Sequence, residues 1–213
     1  MPTAPRPKRA LVVLARAPEA GRVKTRLARE IGDAAAVQAY RELGTAVLGA
    51  AGRLGDCDLR VAYTPAHQEG RMRAWLGPAP DYEPQLEGDL GARMLGAIAG
   101  RFAAGAGKVL LIGTDCPDLD PALLETAFAR LDRADAVLGP AADGGYYLVG
   151  MKRPIAELFE GIPWSSPATL SATLARAAAA GVSVALLEQR RDIDTAADWR
   201  AWRAVRGQAN KPG

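Results

Sequence analysis

Two unbroken apolar runs dominate the hydrophobic pattern of the chain. The first is Ala10 to Ala15, and the second lies within Lys108 to Gly113. Each is too short for a helix and apolar at every position, as a strand covered on both faces must be. The first run breaks at Pro18 and Gly21 and gives way to the basic stretch Arg22, Lys24, Arg26, Arg29. This reads as strand, tight loop, helix start. The second run ends in Gly113-Thr-Asp-Cys-Pro-Asp118, with two carboxylates just past the strand.

Between and beyond these runs the period changes from element to element. Ala34 to Leu54 carries Val37, Tyr40, Leu43, Val47 and Leu48 on one helical face. Leu59 to Thr64 predicts a strand, His67 to Leu76 a short helix ending at Gly77-Pro78, and Asp81 to Gln85 a brief strand. Gly88 to Met94 opens a helix reaching about Ala104, with Asp89 as N-cap. Asp120-Pro121 opens another, with Asp as cap and Pro in the first turn. Ala134 to Gly139 and Tyr146 to Met151 predict two strands around the turn Pro140 to Gly145. Ser166-Pro167 reads as the cap and first turn of a helix to about Ala180, and Val182 to Leu187 as a strand. Thr195 to Asp198 has the form of a capping box ahead of a last helix bearing Trp199, Trp202 and Val205. Strands alternating with helices predict a three-layer α/β/α fold with a mostly parallel sheet. Ligands of such sheets bind outside the carboxyl ends of the strands, where both the first loop and Asp115 fall.

Length and composition narrow this picture. The 213 residues suit one domain, taken as 9–206 with a flexible arm 1–8 and a flexible tail 207–213. Acidic and basic residues nearly cancel, 24 against 27, and no block of like charge forms a nucleic-acid arm. No nucleic-acid partner is expected, and the first-loop cations suit a small anionic ligand. No apolar stretch has the length of a membrane span or the form of a signal peptide. With two cysteines, Cys57 and Cys116, in no metal-binding spacing, the expectation is a reduced cytoplasmic protein, although a disulfide between them stays open.

Candidate chemistry concentrates in few places. Gly21 to Arg26 (GRVKTR) matches neither a Walker loop nor the dinucleotide fingerprint. Its bland reading is a solvated basic turn. Cations at a helix N-terminus oppose the macrodipole, however, and make sense when an anion lies among them, so the loop is read as a phosphate cradle. Asp115 is read as a Mg²⁺ or Mn²⁺ ligand and Asp118 as a turn residue. Asp192 or Asp194 supplies a second metal carboxylate, or else caps the last helix; which of the two stays open. Asp143-Gly144-Gly145 is either a hairpin turn or a ligand contact. Arg93 is either a solvated helix residue or a nucleotide contact. Trp164 either packs or lines a substrate pocket. The single histidine, His67, lies on a polar segment, so no histidine-based triad is expected.

Six segments carry a family resemblance: ARAPEAGRVKTRLA (15–28), GDLGARM (88–94), GTDCPDL (113–119), GPAADGGYYLVG (139–150), FEGIPWS (159–165) and DIDTAADW (192–199). Together they resemble the bacterial GT-A-like transferase family labelled a domain of unknown function or an arsenosugar-associated glycosyltransferase. That family is similar in turn to the molybdopterin-guanine-dinucleotide and phospholactate guanylyltransferases. The resemblance implies a nucleotide-diphospho-sugar transferase (GT-A-like) fold. It implies Leu14, Ala15 and Arg16 beside the base, Gly21, Arg22 and Lys24 beside the phosphates, and Arg93 as a further nucleotide contact. It implies Lys24 and Arg26 stabilising charge on the transferred or leaving phosphate, with Asp115 and Asp194 or Asp192 at the metal. Asp143, Gly144 and Gly145 then face the acceptor, with Trp164 beside them. Arg16 stands where the family usually has Lys, and Ala92 where it usually has an acidic residue.

Two reactions fit such a site. A glycosyltransferase releases NDP from a nucleotide-sugar, and a nucleotidyltransferase joins an NTP to a small phosphorylated acceptor and releases pyrophosphate. The family label favours the first, which is the primary reading here, and the KTRLA segment the second. A nucleotide-binding protein without catalysis is the third reading. Base, sugar, acceptor and oligomeric state are left open.

Overall fold

The computed structural model describes residues 9–78 and 80–209. The expected N-terminal arm lies outside these residues, as does the tail beyond 209. Seven strands form one sheet in the order β3-β2-β1-β4-β6-β5-β7. They are β1 (Arg9–Arg16), β2 (Cys57–Thr64), β3 (Asp81–Pro84), β4 (Lys108–Ile112), β5 (Ala136–Pro140), β6 (Tyr146–Met151) and β7 (Val184–Leu186). All neighbours run parallel except β6, which is antiparallel to both β4 and β5. The hairpin joining β5 to β6 is the one predicted around Pro140 to Gly145.

β1 and β4 are central, and their continuous apolar runs are buried on both faces. In β1, Leu11, Val13 and Ala15 face the layer of α2 (Asp33–Ala51), α3 (Glu69–Leu76) and α5 (Pro121–Arg130). Ala10 and Val12 face the layer of α4 (Leu90–Ala103) and α6 (Thr169–Ala179). Burying one Leu or Val of these strands contributes about 1.5–3 kcal/mol, which sets the register of the sheet. A third apolar cluster joins α1 (Thr25–Ile31) and α2 to α7 (Ala196–Ala209) through Leu27, Leu43, Ile193, Trp199 and Trp202. It clamps the chain just after the first loop to the chain just before the last helix.

The predicted caps divide. Asp89 accepts from Ala92 N at 2.8 Å and Asp120 from Leu123 N at 2.7 Å. The capping box forms as well. Thr195 N donates to Asp198 Oδ2 at 3.1 Å, and Asp198 N donates to Thr195 Oγ1 at 3.2 Å. Ser166 does not cap α6, which starts three residues later at Thr169. Its Oγ accepts from Ala168 N instead, a local turn that delays the helix. Helix α7 continues to Ala209.

Candidate functional site

A cleft of about 480 Å³ opens at the carboxyl ends of β1 and β4. Its size is that of an ordinary small-molecule site. One end is lined by Leu14, Ala15, Arg16, Gln85 and Arg93. The other is lined by Arg22, Lys24, Arg26, Asp115, Asp192 and Asp194. Thus six of the seven residues expected around a nucleotide border one cleft; Gly21 shapes the loop with φ +71° and is not in the lining.

The acidic end is built from three distant segments. β4 ends at Ile112 and delivers Asp115. Ile193 N donates to the backbone O of Asp115 at 2.9 Å, which brings Asp192 and Asp194 alongside. The Ile193 side chain is buried in the cluster formed by α1, α2 and α7. Lys24 then closes the group. Its Nζ donates to Ile193 O at 2.6 Å and to Asp194 Oδ1 at 2.9 Å, and lies 2.9 Å from Asp115 Oδ1 in an ion pair. Burial opposes the charge of this ammonium, but Asp115 and Asp194 outweigh it and its pKa is raised. Lys24, read from the sequence as a phosphate contact, meets these carboxylates, and as the residue before α1 it takes the left-handed conformation, φ 46° and ψ 44°.

Asp192 is the most perturbed carboxyl of the cleft. Burial first, then repulsion from Asp115 and Asp143, pushes its pKa up to about 7, against the pull of Lys24. Asp192 Oδ1 and Asp115 Oδ1 are both shielded from solvent and accept no hydrogen bond. An unpartnered Asp192 Oδ1 and an Asp115 Oδ1 met only by the Lys24 ammonium, on hard ligands facing one cleft, fit a divalent cation. No group of three or more His, Cys, Asp or Glu side chains arranged to hold a metal occurs among the described residues. The donor set therefore fits Mg²⁺ or Mn²⁺ sharing its remaining positions with water and substrate phosphate, and does not fit a closed structural site.

The basic loop is anchored from outside. Glu19 accepts from Gln68 Nε2 at 2.8 Å, and Ala17 N donates to Thr64 O at 2.8 Å. Helix α1 has only seven residues, so the positive charge of this loop is that of its side chains and not of a helix dipole. Arg22 and Arg26 are exposed, and Arg26 Nη1 lies 3.8 Å from Asp194 Oδ2.

Two residues of the cleft lining and one buried residue beside it carried no sequence signal. Tyr40, read as a core position of a helix, is buried with its hydroxyl at the cleft floor. That hydroxyl accepts from Arg16 N at 3.0 Å, donates to Arg16 O at 3.1 Å and receives Thr114 Oγ1 at 3.3 Å. It ties the end of β1 to the end of β4, and burial pushes its pKa up to about 12. Gln85 donates its amide to Ala15 O at 3.0 Å and Ala62 O at 2.8 Å, and its Oε1 faces Arg93 Nη1 at 3.4 Å. Ile193 is the third.

The residues expected at the acceptor side lie apart from the lining. Asp143 Oδ1 accepts from Gly145 N at 2.9 Å, closing its own turn. A Cβ on Gly144, at φ +90°, would stand 2.2 Å from Pro167 O. The turn is thus wedged against the start of α6, with Asp143 exposed at its tip. Trp164 packs between Gly91 of α4, Phe159 and Tyr146. Asp118 is exposed, as a turn residue. His67 is exposed as well. Cys57 and Cys116 are both free thiols. Burial, then Asp192 and Asp118, holds the Cys116 thiol up at about 12, which keeps it un-ionised.

A model of the family described as "Uncharacterized protein conserved in bacteria (DUF2064)" matches residues 47–166, more than half of the chain. A crystal structure from Desulfovibrio desulfuricans G20, provisionally designated a nucleotide-diphospho-sugar transferase, is 32% identical with a TM-score of 0.87. The alignment covers 94% of this chain and 89% of that one. More distant folds include CMP:2-keto-3-deoxy-manno-octonic acid synthetase complexed with CTP, 14% identical, TM-score 0.63, over 94% and 99% of the chains. Another is Rv0371c of Mycobacterium tuberculosis H37Rv in complex with manganese, 18% identical, TM-score 0.57, over 91% and 97%. No curated protein sequence matches the chain. No helix among the described residues is long and apolar enough to cross a membrane.

Proposed function

This chain is a member of the bacterial family DUF2064 with the fold of nucleotide-diphospho-sugar transferases, and on that premise we propose that it is a metal-dependent glycosyltransferase using a nucleotide-diphospho-sugar donor. The observation that carries the reading is the pairing, in one cleft, of the carboxylates of Asp115 and Asp192, the latter with an unpartnered Oδ1, with the cations of Lys24, Arg22 and Arg26. An NDP-sugar needs both halves. Its diphosphate carries negative charge that grows on the leaving oxygen as the sugar bond breaks, and fixed cations stabilise that charge. Bound Mg²⁺ or Mn²⁺ supplies further neutralisation of the diphosphate.

Asp115 and Asp192, with Asp194, hold the cation in this reading. The nucleoside occupies the end of the cleft lined by Leu14, Ala15, Arg16 and Arg93. Tyr40 fixes the backbone of Arg16 relative to Thr114, so base site and metal site keep one spacing. Asp143 at the turn tip is the acceptor-side group, held by Gly144 and Gly145. Trp164 acts through packing alone, by backing α4.

One observation favours nucleotidyl transfer as the second reading. Two arginines, Arg22 and Arg26, stand exposed at the loop, Arg26 with Asp194 Oδ2 at 3.8 Å, more charge than a diphosphate requires and suited to a triphosphate. The test is a panel of NDP-sugars and NTPs with Mg²⁺ or Mn²⁺, read by thermal shift and by product release. Stabilisation by one NDP-sugar with slow NDP release establishes glycosyl transfer. Pyrophosphate release from an NTP in the presence of a phosphorylated acceptor establishes nucleotidyl transfer. Nucleotide binding that never yields either product returns the chain to the non-catalytic reading, and no metal-dependent shift with any ligand refutes the site.

A further inference from the structure

Lys24 stands in an unusual place for a phosphate-binding lysine. An ammonium has three N–H donors. Two are donated inside the protein, to Ile193 O at 2.6 Å and Asp194 Oδ1 at 2.9 Å, and the ammonium also stands 2.9 Å from Asp115 Oδ1 in an ion pair. Its side chain is only 4% exposed. Its backbone sits in a left-handed conformation that costs a non-glycine residue free energy. The ammonium is a compact point charge between two carboxylates, which is where a divalent cation would bind.

We propose that Lys24 is an exchangeable counter-ion: a divalent cation arriving with a diphosphate displaces its ammonium from Asp115 and Asp194, and the ammonium moves onto the diphosphate. The inference rests on the metal and diphosphate sites proposed above. It follows from what each ligand meets alone. A cation alone must evict a buried positive charge and leave it with Ile193 O but no carboxylate. A diphosphate alone meets a lysine already neutralised by two carboxylates. Together, each ligand supplies the partner the other removes. The attachment to Asp115 is the one to yield first, because Asp115 Oδ1 sits in ion-pair contact without accepting a hydrogen bond. Coupling of this kind is reciprocal, so the metal raises diphosphate affinity by the factor by which diphosphate raises metal affinity.

The experiment titrates Mn²⁺ alone, pyrophosphate alone and the preformed Mn²⁺–pyrophosphate complex into wild type and Lys24→Met, by calorimetry and by Mn²⁺ paramagnetic resonance. Wild type is expected to take the complex at least about tenfold more tightly than either component. Lys24→Met is expected to bind Mn²⁺ alone about tenfold more tightly than wild type and to lose most of the coupling. Mn²⁺ affinity that is unchanged or weaker in Lys24→Met overturns the exchange and makes Lys24 a fixed strut. Should Lys24→Met not fold, the ¹⁵N-lysine ammonium resonance of Lys24 in wild type decides. It is expected to move with Mg²⁺–pyrophosphate and to stay with Mg²⁺ alone; a resonance unmoved by the complex overturns the proposal. Turnover of a nucleotide substrate with no change in Mn²⁺ affinity sinks the exchange and spares the proposed function. Tighter Mn²⁺ binding by Lys24→Met with no nucleotide turnover does the reverse. Mn²⁺ bound by neither protein in any combination overturns both.

Discussion

Asp192→Asn in the metal-free protein separates electrostatic cost from catalytic role. Asp192 ionises at about 7 in the fold, against 3.8 for the free side chain. The difference is about 3 pH units, which corresponds to about 4 kcal/mol once both folded and unfolded states are ionised. Asp192 is not fully enclosed, and screening reduces this to about 2–4 kcal/mol. The sign follows from proton binding. A group whose folded pKa is raised holds its proton longer in the native state, so its contribution to stability is fully present below pH 3.8 and is lost as pH rises through about 7. Asparagine mimics the protonated form at every pH. The two proteins should therefore melt alike near pH 4, and the variant should gain progressively, reaching a plateau above pH 7. For a chain of this size, about 2–4 °C per kcal/mol makes the plateau at least about 4 °C. The assay is thermal denaturation in EDTA from pH 4 to pH 8.5. Parallel curves, or a variant less stable at pH 8, would refute a buried and repelled carboxylate at this position. Adding Mn²⁺ at pH 8 should stabilise wild type and not the variant, because the cation replaces the missing counter-charge only where the carboxylate remains.

Other consequences are equally direct. Asp115→Asn should abolish metal-dependent turnover while circular dichroism and melting stay near wild type; a variant with normal turnover would remove Asp115 from the site. Tyr40→Phe removes a hydroxyl with three polar contacts and should cost about 1–3 kcal/mol in denaturant unfolding, together with weaker nucleotide binding. Unfolding and binding both unchanged would show that the hydroxyl ties nothing together. Gly144→Ala places a methyl on Pro167 backbone atoms at a positive φ, and about 3 kcal/mol of destabilisation is expected, read as a lowered denaturation midpoint. An unchanged midpoint would mean that the turn is free of α6.

Most of the architecture was legible along the chain because its causes are local. Runs of buried apolar residues, Asp-Pro and Thr-x-x-Asp caps, and the Gly-rich hairpin turn specify strands, helix starts and a turn from within a few residues. Boundaries slipped where a local alternative competed, as at Ser166, whose hydroxyl closes a turn of its own and hands the helix start to Thr169. The position of Asp115 was legible for a similar reason: a carboxylate just past a central buried strand stands at a carboxyl edge in any doubly covered parallel sheet.

What the sequence by itself determined, then, was the three-layer sheet, the edge on which the cleft opens, and the basic and acidic residues present there. What only the tertiary structure decided was which of them meet. Lys24 and Asp194 are 170 residues apart, and Tyr40 and Thr114 are 74 apart. Their contacts depend on strand order, on the burial of Ile193 against α1 and α2, and on one left-handed residue before α1. None of these leaves a periodic trace, since hydrophobic period reports which face of an element is buried and not what lies opposite it. The perturbed carboxyl of Asp192 follows the same logic: its pKa is set by burial and by Asp115 and Asp143, carboxylates that only the folded chain brings within electrostatic reach.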